Sequence, residues 1–83
     1  MILVSLFDSK AETWSNPHVC QNKAVAIREF AALCNDDRGT IVSSNPADFD
    51  IFVVGEFEEP FKGIIKSLDA PLHLANGKDV VKK

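Results

Sequence analysis

The sequence predicts an α+β fold: a small, mostly antiparallel sheet with one amphipathic helix packed on one face. Three observations carry that prediction. Two apolar runs of strand length stand at 1–7 and 49–58. Between them lies one stretch whose apolar residues recur at helical spacing. After the second run comes Glu59-Pro60, a turn signal that implies a returning strand.

The elements follow in order. In residues 1–7, Ile2, Val4 and Leu6 share one face, and Leu3, Ser5 and Phe7 the other. A strand apolar on both faces belongs in the middle of a sheet, covered on both sides. Asp8–Pro17 is polar and reads as a connection. Within it, Asp8-Ser9-Lys10 reads as a strand-ending turn in which Asp8 accepts nearby backbone N–H groups. The alternative, a nucleophile with helpers, lacks a neighbouring histidine. His18–Gln21 reads as a short second strand.

Asn22 is a good N-cap for a helix over Lys23–Asn35. Ile27, Phe30, Ala31 and Cys34 follow the i, i+3, i+4, i+7 pattern, with Ala24 extending the stripe. Asn35-Asp36-Asp37 and then Gly39 end it. Thr40–Val42 reads as a short extended piece, and Ser43-Ser44-Asn45-Pro46 as a turn. In Phe49–Glu58, Phe49, Ile51, Val53 and Phe57 share one face, opposite Asp50, Phe52, Val54, Glu56 and Glu58. Phe61–Leu68 reads as the returning strand, with Ile64 and Ile65 in the core and Pro71 ending it. The domain therefore spans 1–75, and 76–83 is a charged tail that frays or lies on the surface.

One helix covers one sheet face. Leu3, Phe7, Phe52 and Val54 then need another cover, because soluble monomers rarely expose such a patch. A homodimer, sheet against sheet or edge against edge, supplies it. The other solution is that the segment after the helix and the C-terminal tail fold over that face.

With 83 residues, the chain holds one modest core. Cys20 and Cys34 are two unpatterned cysteines, which points to a reducing compartment and no disulfide. Cys34 reads as a small buried apolar residue. His18 and His73 are far apart and lack a zinc-spaced ligand set, so no metal and no cofactor is expected. The opening MILVSLFD lacks a basic n-region, and no stretch approaches the roughly 20 apolar residues of a membrane span. These features predict a soluble protein with no membrane contact.

No catalytic constellation, phosphate loop or helix-turn-helix pair stands in the sequence. The residues point to a binding protein and not to an enzyme. Glu56, Glu58 and Glu59 read as a solvated hairpin end. The net charge of −3 argues against non-specific nucleic-acid binding. The candidate contacts for DNA are Lys10, Lys23, Arg28, Lys62 and Lys66, with Trp14 as a stacking residue. From pattern alone, ordinary solubilising charge is the simpler account of these lysines.

Several segments together are more specific. Asp8-Ser9-Lys10-Ala11-Glu12 follows the first strand, and Pro17 comes soon after. The helix opens with Asn22-Lys23-Ala24 and holds Ala26-Ile27-Arg28-Glu29-Phe30. Then come Asn45-Pro46-Ala47-Asp48-Phe49 and Phe52-Val53-Val54-Gly55-Glu56-Phe57. This series, over about residues 1–74, resembles the small nonstructural DNA-binding protein of gokushoviruses, single-stranded DNA phages of the Microviridae. The resemblance implies a phage protein in the host bacterial cytoplasm. It implies DNA binding, by preference to single strands. The role implied is in the switch from double-stranded replication to single-stranded genome synthesis and packaging, like the microvirus protein C. The alternative is an adaptor that contacts the phage replication or capsid proteins through Glu56, Glu58 and Glu59. Gly55 reads as a bulge or a tight approach to the helix.

Overall fold

The computed structural model describes residues 1–82. It is an α+β domain with a five-stranded antiparallel sheet and three helices in one layer. The strands are β1 (Ile2–Asp8), β2 (Thr13–Trp14), β3 (His18–Cys20), β4 (Phe49–Glu56) and β5 (Lys66–Asn76). The helices are α1 (Lys23–Cys34), α2 (Ile41–Ser44) and α3 (Gly77–Val80), with a 3₁₀ turn at Pro46–Asp48. The two short strands β2 and β3 share one edge of β1; β4 lies on its other side, and β5 forms the far edge.

β1 is central, as its two-sided apolar pattern predicts. Ile2, Val4 and Leu6 face α1, and Val4 is fully buried. On β4, Phe49, Ile51 and Val53 join the same core. From α1 come Ala26, Phe30 and Cys34. The helix is rotated slightly from the expected stripe: Ala26 is fully buried, Ala24 is exposed, and Ile27 and Ala31 are half-buried. Asn22 caps α1 as expected, its side chain accepting from the Val25 N–H at 2.9 Å.

Three expectations are corrected. Thr40–Val42 is not extended. The Thr40 side chain accepts the Ser43 N–H at 3.1 Å, and this cap opens the helical turn α2, which buries Val42. Phe61–Leu68 is not the returning strand. Residues 57–65 form a loop, and Phe61, Ile64 and Ile65 stand exposed on it. Pro71 does not end the strand either. Between the pairs Val53↔Leu72 and Gly55↔Ser67, β4 advances two residues and β5 five, so Pro71 sits where β5 leaves the ladder. A residue without an N–H is tolerated in such an excursion on an edge strand.

The segment after Asn76 packs back on the domain. Val80 and Val81 touch the core. The Asn35 Nδ2 donates to the carbonyls of Ala31 at 2.6 Å and Val80 at 3.0 Å, while its Oδ1 accepts from the Lys82 N–H at 2.6 Å. Gly77 is buried so closely against Pro46 that a methyl group there would overlap the Pro46 carbonyl. Because α2 and α3 pack beside α1, no helix among the described residues covers the face that carries Phe7 and Phe52.

Candidate nucleic-acid interface

The open face is built by strand alternation. Ser5 and Phe7 point away from α1, opposite to Val4 and Leu6. Phe7 pairs with Trp14 of β2, Ser5 with Phe52 of β4, and Phe52 with His73 of β5. The result is a row of four rings across four strands. Centroids are 5.0 Å apart for Phe7–Trp14, 5.1 Å for Trp14–Phe52 and 5.2 Å for Phe52–His73. The contacts are tilted or edge-on, a geometry favoured by the ring quadrupoles. Trp14 is 47 % exposed.

Hydrogen bonds fix the ends of this row. Asp50 Oδ1 lies 2.8 Å from His73 Nε2 and accepts from Asn76 Nδ2 at 3.0 Å. At the β2 side, the Ser5 hydroxyl donates to the Ser15 carbonyl at 2.6 Å, and Leu6 N–H donates to the Ser15 hydroxyl. These bonds hold residues 13–15 against the edge of β1, which places Trp14 beside Phe7. The Asp8 turn is as expected: Oδ1 accepts the N–H groups of Lys10 and Ala11 at 3.0 and 3.2 Å. Lys10 therefore stands exposed just past the end of β1 that carries Phe7.

The other candidate contacts lie elsewhere. Lys23 and Arg28 are exposed on α1, behind the sheet and away from Trp14. Lys62 and Lys66 do come together, lining a small cavity of about 90 Å³ with Glu58 and Ile64. Lys62 lies 3.6 Å from Glu58, and Lys66 pairs across the ladder with Glu56. They stand at the end of β4 remote from Phe49, with Glu58 beside them. Gly55 is indeed flanked by register shifts, but its close neighbours are Leu3, Ile65 and the Lys66 carbonyl, and not the helix.

The sequence singles out Trp14 and marks Phe7 and Phe52 as uncovered, yet it does not join these rings to one another or to His73. Register joins them, and register is set by the bulges in β4 and β5. It also missed a second grouping. His18 and Cys20, two apart on β3, point to the same side, where Glu29 of α1 meets them. The Cys20 thiol lies 3.9 Å from Glu29 Oε1. Burial pushes this thiol above its ordinary value, and the Glu29 carboxylate adds to the effect. Cys34 is raised by burial too.

Residues 1–80 match the family model described as Phage ORF5 protein. The chain belongs to that family. It is thus a bacteriophage protein, which agrees with the phage origin implied by its sequence motifs. Neither a curated protein nor a solved structure matches it. Among the described residues, no helix is long and apolar enough to cross a membrane.

Proposed function

We propose that this phage protein is a non-enzymatic DNA-binding protein of the gokushovirus type, which takes single-stranded DNA on the open face of its sheet. The observation that supports the reading is the ring row Phe7–Trp14–Phe52–His73. Unpaired bases stack on such rings without regard to sequence, whereas a duplex keeps its base faces hidden. Lys10, at the same end of the sheet as Phe7 and Trp14, meets the backbone phosphates. Lys62 and Lys66 stand at the far end of the sheet, where the pairing of Ile2 with Glu56 and of Glu56 with Lys66 sets Lys66 on the side of Ile2, so they add only longer-range attraction to the strand. In the host cytoplasm, a protein that coats single strands fits the switch from double-stranded replication to genome synthesis and packaging.

The test is a titration of labelled single- and double-stranded oligonucleotides at two salt concentrations. Single strands bind more tightly, and affinity falls as salt rises because phosphate contacts release counterions. Equal or tighter duplex binding, or no binding at low salt, overturns the proposal.

A second reading rests on the β4–β5 loop. Exposed Phe61, Ile64 and Ile65 lie beside Glu58 and Glu59, a surface of the kind a protein partner covers. In this reading the chain is an adaptor for the phage replication or capsid proteins. Reversing the charge of Lys10, at the opposite end of the sheet from this loop, weakens DNA binding under the first reading and leaves function intact under the second. Pull-down of a partner after nuclease treatment supports the second. We also propose a homodimer, supported by the same exposed apolar groups. Pro71 blunts strand pairing along β5, so the dimer forms through side chains. Sedimentation of the free protein reads its mass directly.

A further inference from the structure

We propose that His18, Cys20 and Glu29 form a zinc site that ties β3 to α1. Each residue offers one ligand atom, and the three atoms lie within 4.8 Å of one another. Their placement follows from register. On β3, Val4↔His18 and Ile2↔Cys20 put both side chains on the face that α1 covers. Glu29, one residue before buried Phe30, reaches them from the helix.

The donor set selects the ion. An imidazole, a thiolate and a carboxylate suit Zn²⁺ and not Mg²⁺ or Ca²⁺, which take oxygen ligands. Tetrahedral Zn²⁺ with bonds of about 2.0–2.3 Å places its ligand atoms about 3.3–3.8 Å apart. His18 and Glu29 are exposed at their positions, so a rotamer change closes that gap. The charges also balance. Zn²⁺ displaces the proton of the Cys20 thiol to solvent, and thiolate plus carboxylate neutralise the ion. A groove of about 260 Å³, lined by His18, Glu29, Leu6, Phe30 and Leu33 among others, adjoins the cluster. It has room for a water as the fourth ligand. The gain is structural: a domain this small lacks core, and a metal bridge between its short edge strand and its main helix supports the fold.

The test uses untagged, reduced protein and Co²⁺ as a spectroscopic stand-in. One equivalent of Co²⁺ gives a thiolate-to-metal charge-transfer band with visible bands of tetrahedral intensity, and Zn²⁺ bleaches both. Cys20→Ala loses the charge-transfer band, and Cys34→Ala, which removes the other thiol, keeps it. Because Cys20 is buried, the exposed His18 supplies a variant that keeps the fold. His18→Ala weakens Zn²⁺ binding at least about tenfold, with unchanged circular dichroism in the absence of metal. The proposal is overturned if the parent shows no thiolate band, if Cys34→Ala loses the band while Cys20→Ala keeps it, or if His18→Ala binds Zn²⁺ as tightly as the parent.

Discussion

Trp14→Ala separates the structural work of the ring row from its proposed binding work. In the free protein Trp14 makes two ring contacts, with Phe7 at 5.0 Å and Phe52 at 5.1 Å. Each such pair contributes about 0.5–1.5 kcal/mol, so truncation costs about 1–3 kcal/mol of stability. A base stacked on an aromatic side chain is worth about 1–3 kcal/mol, so affinity for a single strand falls about 5- to 150-fold. Urea denaturation reads the first quantity, and anisotropy of a labelled oligonucleotide the second. Trp14→Phe restores most of both, because it keeps a ring. A folded Trp14→Ala protein that binds single strands within about twofold of the parent refutes the reasoning, since a lost stack costs more than that.

Three further predictions test the rest of the fold. Gly77→Ala drives a methyl into the Pro46 carbonyl, which is backbone and yields little; it costs about 1–3 kcal/mol by urea denaturation at unchanged m. Asn35→Ala removes three hydrogen bonds, two of them to residues 80–82; at about 1 kcal/mol each it destabilises by about 3 kcal/mol, and exchange of the Lys82 amide speeds up. Arg38 holds the Asp36 carboxyl down at about 2 through a side-chain hydrogen bond, aided by the Arg38 backbone N–H. A carboxyl lowered in the folded state stabilises it above the ordinary value of 3.8, and that contribution is lost as pH falls toward about 2. Arg38→Ala returns the Asp36 titration, followed by NMR, toward 3.8.

Legibility in the sequence differed by element. The period-2 pattern of β1 and β4 and the Asn22 cap of α1 were readable, because each rests on local chemistry. β5 was not. Ile64 and Ile65 carry strand propensity, but they stand in the exposed loop, while the strand begins at Lys66 and runs past Pro71. Propensity lost there to pairing with β4, which is non-local. Val42 likewise has strand propensity, but the Thr40 cap and burial of Val42 placed it in a helical turn. For the site, Trp14 was visible as an aromatic in a polar connection. Its partners were not, since Phe7 and Phe52 meet it, and His73 meets Phe52, only through cross-strand register. The His18–Cys20 pair was visible as alternate strand residues, yet Glu29 completes the group from another element.

Intrinsic fluorescence tests the stacking claim most directly. Trp14 is the one tryptophan in the chain, so its emission reports this position alone. Titration with unlabelled single-stranded oligonucleotide quenches that emission in step with binding, and duplex of the same sequence quenches it less. Saturating single-stranded DNA that binds by anisotropy but leaves Trp14 emission unchanged contradicts the account.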